Sequence, residues 1–122
     1  MKIAIGIDIE IVSRFRFLIS KKDFYNLGRI FTNSEIEYAM TRPKPESHLA
    51  VRFCAKEAAY KALSQFGIHG VPPELIEVIC DNTGIQTLHI SGLAAHFVTS
   101  LSLSHSSDVA IASVILSEKD LS

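Results

Sequence analysis

With 122 residues and a formal net charge of −1, the chain fits a single domain over residues 1–122 and has no overall basic field that would draw it to nucleic acid or an anionic membrane. Apolar residues make up 48% and charged residues 20%, an ordinary composition for a globular protein and not for a disordered one. Cys54 and Cys80 stand in no paired-ligand spacing, no apolar run is long enough to span a membrane, and the amino-terminal run lacks a cleavable-signal pattern; the expectation is a reduced, cytoplasmic protein.

From Lys2 to Val12 the sequence alternates. Ile3, Ile5, Ile7, Ile9 and Ile11 fall on one side of a predicted strand, and Gly6, Asp8 and Glu10 on the other. A short helix is predicted over Ser13–Lys22. Thr32-Asn33-Ser34-Glu35 reads as a capping box opening a helix over Ile36–Met40. Arg42-Pro43-Lys44-Pro45-Glu46 is a stiff basic loop. Ser47–Phe66 is the clearest helix, rich in alanine and ended by Gly67. Strands follow over Leu75–Cys80 and Ile85–Ile90, joined by Asp81-Asn82-Thr83-Gly84. A short helix is predicted over Ser91–Phe97, then two strands, Val98–Ser104 and Val109–Leu116. The pattern predicts an α+β domain whose mainly antiparallel sheet packs against one long helix and shorter ones.

Several charged residues sit where charge is costly. Asp8 lies on the polar side of a very apolar strand, and a carboxylate there needs a salt bridge, a cap or a functional partner. On the long helix, Glu57 and Lys61 are four apart and share a face, either as a plain ion pair or as part of a site. Arg52 and Lys56 fall inside the arc of Leu49, Ala59 and Leu63, at roughly 100° per residue. Either they snorkel to solvent, or the helix borders two environments, one of them a subunit interface with a ligand site. Asp8 and Glu57 could share a Mg²⁺ ion, which takes one or two carboxylates, waters and substrate phosphate oxygens. No zinc spacing, phosphate-binding glycine loop or nucleophile elbow is present, and both cysteines read as small core residues. His48, His69, His89 and His96 read as structural.

Three stretches together resemble holo-acyl-carrier-protein synthases of the 4′-phosphopantetheinyl transferase superfamily. They are Gly6-Ile7-Asp8-Ile9-Glu10-Ile11-Val12-Ser13-Arg14, Arg52-Phe53-Cys54-Ala55-Lys56-Glu57-Ala58-Ala59-Tyr60-Lys61-Ala62, and Ser102-Leu103-Ser104-His105-Ser106. Phe31, Thr32 and Glu35 match a minor feature of the family. Two loops depart from it. Gln65-Phe66-Gly67-Ile68-His69-Gly70 replaces a Gly-Thr-Gly turn, and Gly84-Ile85-Gln86-Thr87 lacks the usual proline.

The resemblance implies transfer of 4′-phosphopantetheine from coenzyme A to a serine of apo acyl carrier protein, with Mg²⁺ as cofactor and 3′,5′-ADP released, in support of fatty acid biosynthesis. It implies Asp8 and Glu57 as the metal-binding carboxylates and Lys61 on the pyrophosphate, these three being the catalytic group. Arg52, with the Arg42 and Lys44 loop, would hold the 3′-phosphate, and His105 would line the coenzyme A site. Arg14, with Arg16, Lys21 and Lys22, would dock the carrier protein's acidic helix. The serine's proton needs a base, for which Glu57 and Glu35 are candidates, Glu35 having the capping box as its rival role. A homotrimer with sites between subunits is implied too, which would account for Arg52 and Lys56 inside the apolar arc.

Overall fold

The computed structural model describes residues Met1–Lys119. Along the chain lie β1 (Ile3–Ile11), α1 (Val12–Ser20), α2 (Phe24–Ile30), α3 (Asn33–Met40), α4 (Pro45–Ser64), a 3-10 turn (Pro73–Leu75), β2 (Ile76–Cys80), β3 (Gln86–Ile90), β4 (Phe97–His105) and β5 (Val109–Glu118). The strands form two antiparallel sheets, one ordered β1-β5-β4 and the other the β2-β3 hairpin. This is the expected α+β architecture, with α4 as its spine.

Small side chains explain how α4 meets the larger sheet. Ala50, Ala55, Ala58, Ala59 and Ala62 on the helix are fully buried, as are Ala4, Ala110 and Ala112 on the strands. Gly6 has the closest approach. A Cβ there would run into the Ala58 carbonyl and lie 3.1 Å from the Ala62 nitrogen. Glycine at position 6 is therefore a steric requirement for the crossing of β1 and α4. Phe15, packed on Phe31 and Phe53 with ring centroids 6.1 and 5.5 Å away, seats α1 on the same core. No described helix is long and apolar enough to cross a membrane.

The sequence reading departs from this fold in three places. Phe24–Ile30 forms a helix that was not predicted, capped by the Asp23 side chain on the Asn26 amide. The helix predicted over Ser91–Phe97 does not form; Gly92 turns with φ 81°, which a right-handed helix cannot contain, and Phe97 already belongs to β4. The long helix starts at Pro45 instead of Ser47, because a proline in the first turn loses no hydrogen bond.

Candidate active site

The inward face of β1 carries Asp8 and Glu10, which pair across to Ala112 and Ala110 of β5. Those small partners leave room over the sheet for acidic side chains and for the α4 residues above. Lys61 reaches down from α4 to donate to the Ile7 carbonyl at 2.8 Å, and its Nζ lies 3.4 Å from Asp8 Oδ1. The Asp8 side chain is only 14% exposed, and its Oδ2 is buried without a partner. Glu57, one turn before Lys61, has its carboxyl raised by burial and by the Asp8 charge, against the opposing pull of Lys61 and Arg14. Glu10 is raised by burial and by contact with the Asp8 carboxyl, while Arg14, 3.1 Å away, opposes the rise.

This donor set suits Mg²⁺. A hard divalent ion favours carboxylate oxygens, and Asp8 Oδ2 is buried without a hydrogen-bond partner, so it could serve as a ligand. Glu57 is near enough for the two charges to act on each other. Among the described residues no three His, Cys, Asp or Glu side chains converge into a complete cage, so the remaining positions would fall to water and substrate. Cys54 lies beside this site, donating to the Ala110 carbonyl at 3.3 Å; burial, with Asp8 and Glu10, pushes its thiol up to about 12, leaving it unreactive.

A second polar cluster lies on the other side of α4. The Tyr38 ring stands between two guanidinium groups, Arg42 at 3.4 Å and Arg52 at 4.1 Å from its centroid. His48 packs edge-on to Tyr38 and, at 6.1 Å, to His105. Arg52 is buried, donates to the His48 carbonyl at 3.2 Å, and keeps its Nε unpartnered. Burial, with Arg52, His105 and Arg42 nearby, lowers the pKa of His48. His105 shares a transverse row with Ala110 and Glu10, two strands from Glu10, or about 10 Å. Lys44 caps α4 in the left-handed region, φ 56°, and its amine has no partner among the described residues.

The chain itself settles one of the two residues whose position in the helix was ambiguous. Lys56 does not snorkel and needs no subunit interface. Its Nζ is 2.8 Å from Glu35 Oε1, both side chains are at most 1% exposed, and it also donates to the carbonyls of Pro73 and Ile76. Glu35 closes the expected capping box with Thr32 and accepts from the Val78 amide at 3.0 Å. With its oxygens committed this way, Glu35 is a structural junction of α3, β2 and α4, buried away from the Asp8 carboxylate, and not a base. Of the residues read from sequence, Asp8, Glu57, Lys61 and Arg14 come together on one side of α4. Arg52 and His105 meet on the other, with Arg42.

Sequence reasoning passed over Glu10, Tyr38 and His48. The alternation that singled out Asp8 had already put Glu10 on the same face, so its signal was present. Tyr38 carried no local signal, because only the packing of α3 on α4 joins it to Arg52; His48 lies one turn before Arg52 on the same helix, and tertiary packing brings His105 of β4 to it.

The model of the 4′-phosphopantetheinyl transferase superfamily matches residues 4–114. A holo-acyl-carrier-protein synthase of Chloroherpeton thalassium is 39% identical over 117 residues, 92% of this chain and 95% of the relative. Among solved structures, an ACPS–CoA complex of Chronobacterium ammoniagenes superposes with a TM-score of 0.81 at 29% identity, covering 98% of this chain and 100% of that one. A holo-acyl-carrier-protein synthase of Bacillus anthracis, in complex with CoA (3′,5′-ADP), superposes with a TM-score of 0.77 at 31% identity, covering 96% of each. With the fold and the sequence matches in agreement, this chain belongs to the 4′-phosphopantetheinyl transferase superfamily, among its holo-acyl-carrier-protein synthases.

Proposed function

We propose that this chain moves the 4′-phosphopantetheine arm of coenzyme A onto a serine of an apo acyl carrier protein, in the cytoplasm and with Mg²⁺. The observation that carries the reading is the half-satisfied Asp8 carboxylate set against Glu57 and Lys61, in a chain of this family. The carrier serine oxygen attacks the phosphorus that bears the pantetheine arm. A new P–O bond forms to the serine, the pyrophosphate P–O bond breaks, and 3′,5′-ADP leaves with the bridging oxygen. The serine proton goes to a base, for which Glu57 is a candidate, directly or through a water. Asp8 and Glu57 would hold Mg²⁺, which would neutralise the charge that builds on the diphosphate oxygens. Lys61, fixed by the Ile7 carbonyl, presents a point charge to the same diphosphate.

The second cluster fits the nucleotide end of the substrate. Arg52 and Arg42 flank Tyr38 beside His48 and His105, which gathers cationic groups around a place for the 3′-phosphate, with Lys44 at the rim. The carrier protein docks at α1, where Arg14 borders a groove of about 590 Å³ between α1 and α2 that is also lined by Phe17, Leu18, Asn26, Arg29 and Ile30. Its cationic and apolar lining suits an acidic amphipathic helix.

The outer face of the large sheet supports a homotrimer. Ile3, Ile5, Ile7, Ile9 and Ile11 are 54–63% exposed, and Val109, Ile111 and Ile115 extend the strip onto β5. An exposed apolar strip this continuous marks a protein interface. Copies of this chain are its occupant, and sedimentation or light scattering checks the mass.

The test of the activity is intact-mass measurement of an apo acyl carrier protein incubated with the chain, coenzyme A and Mg²⁺. The expected result is a carrier heavier by one phosphopantetheine, with one equivalent of 3′,5′-ADP. An unmodified carrier at high enzyme concentration overturns the reading.

A further inference from the structure

β1 is the outer strand of its sheet, with β5 on one side only. Lys2 and Val12, at its two ends, bond toward β5 through the Glu118 amide and the Asp108 carbonyl. Backbone groups alternate in direction along a strand, so the odd-numbered carbonyls between them turn to the open edge. The end of α4 answers two of these. Lys61 donates to the Ile7 carbonyl and the Gln65 Nε2 to the Ile5 carbonyl, each at 2.8 Å. The same Nε2 also donates to the Lys61 carbonyl at 3.2 Å, so both of its hydrogens are used. The Gln65 carbonyl accepts in turn from the Lys2 amine, which lies 4.7 Å over the Phe66 ring. One side-chain amide therefore ties the backbone that carries Lys61 to the strand that carries Asp8. Closing the helix does not account for it, since the Gln65 backbone amide does that by donating to the Ala62 carbonyl. Folding a flexible, exposed glutamine onto a strand edge also costs side-chain entropy. The residue falls where this chain departs from the Gly-Thr-Gly turn usual in the family, and neither residue type of that turn carries a side-chain amide.

We infer that Gln65 is a positioning residue for Lys61, a latch that holds the open edge of β1 against the end of α4 and so keeps the Lys61 ammonium beside Asp8. The inference rests on the proposed role of Lys61 at the diphosphate. Lys61 needs such help. Its side chain is 54% exposed on a flexible four-carbon stem, and the Ile7 carbonyl fixes its ammonium only as firmly as Ile7 is fixed against the helix. As α4 advances from Lys61 to Gln65, β1 recedes from Ile7 to Ile5, and Gly6 lies between these two contacts, against Ala58 and Ala62. The Gly6 contact sets how close the two elements come. The Gln65 contact stops the strand edge from swinging about that point, which would carry the Ile7 carbonyl and the ammonium with it. A displacement of this kind leaves the fold intact and moves a charge relative to the reacting atoms, where small errors are costly.

The experiment is a double-mutant cycle on the full chain: parent, Gln65→Met, Lys61→Met and the double variant. Carrier modification with coenzyme A and Mg²⁺ is followed by intact mass, at high enzyme concentration for the slow variants, and a melting curve is recorded for each protein. Gln65→Met keeps the length of the side chain and removes its donor. It is expected to lower kcat about tenfold, with the KM for carrier protein and the melting temperature near those of the parent. Gln65→Glu, which also lacks the donor, should behave alike. In the Lys61→Met background the same change should cost nothing further, because the group it positions is gone. Parent-like kcat in Gln65→Met, with or without a lower melting temperature, reduces Gln65 to a cap of α4 and overturns the inference. A tenfold loss that persists in the Lys61→Met background overturns it too, while the role of Lys61 stands. Parent-like kcat in Lys61→Met, or no turnover in the parent, overturns the reading of Lys61 and this inference with it.

Discussion

The two sides of α4 handle buried charge in opposite ways. On the side facing α3 and β2, Lys56 and Glu35 neutralise each other at 2.8 Å, and the Thr32 and Val78 amides and the Pro73 and Ile76 carbonyls take up their remaining capacity. On the side facing β1, burial and the Asp8 charge raise the proton affinity of Glu10 and Glu57, and Asp8 Oδ2 has no partner. Both arrangements place ionic groups under a hydrophobic sheet, and only the first is complete without a ligand. The contrast separates architecture from chemistry within one helix: a charge that the fold has already satisfied holds the fold together, and one it leaves unsatisfied waits for something from outside. Arg52 stands between these cases, buried and stacked on Tyr38, yet with its Nε free.

The comparison breaks first at the open side. Asp8→Ala or Glu57→Ala should lower Mg²⁺-dependent carrier modification by several kcal/mol of barrier, on the order of a thousandfold or more. The circular dichroism spectrum and melting temperature should stay near those of the parent, since removing a repelled carboxylate costs the fold little. Parent-like turnover in either variant would return Asp8 and Glu57 to the role of ordinary surface charges.

The closed side should give the reverse result. Lys56→Met leaves the Glu35 carboxylate buried and unpaired, which should cost about 3–5 kcal/mol of stability in urea unfolding. The double variant Lys56→Met with Glu35→Leu should recover part of that loss, because no lone charge remains. Loss of activity in the double variant without loss of stability would show that the junction takes part in the chemistry after all.

A smaller effect sharpens the intermediate case. His48 is held below its ordinary value of 6.5 by burial and then by Arg52, His105 and Arg42. The folded chain thus binds this proton less readily than the unfolded chain, and the stability contributed by His48 is complete above 6.5 and declines as pH falls below it. A phosphate among the same cations reverses the main charge effect. Titration of the His48 ring signals by NMR should show an upward shift in its pKa when 3′,5′-ADP is added, with proton uptake on binding at pH values below 6.5, the side to which His48 is displaced. No shift would remove the Arg52–His48–His105 cluster from the nucleotide site.

Much of this molecule was legible from local pattern. The isoleucine alternation located β1 and separated its two faces, because side chains in a strand alternate by geometry alone; that the isoleucine face is the exposed one was not in the pattern. The alanine run and the capping box located α4 and the start of α3 for equally local reasons. The same local logic misread Ser91–Phe97, where Gly92 takes a left-handed turn, and overlooked α2, whose seven residues carry too short a pattern. The site residues were legible only in halves. Asp8 was readable as misplaced on its strand, and Glu57 with Lys61 as a helical pair, but neither half names the other.

What the sequence determined by itself, then, was which residues carry charge into apolar positions and on which face of each element they lie, since periodicity fixes both. The tertiary structure alone decided which of those charges are answered. It brought Glu35 across from α3 to neutralise Lys56, and it stacked Tyr38 between Arg42 and Arg52. It also closed β1 onto α4 at Gly6, so that Asp8 met Glu57 and Lys61 with one oxygen left over. Pairing between groups far apart in the chain depends on how elements pack, and no local spacing encodes that packing.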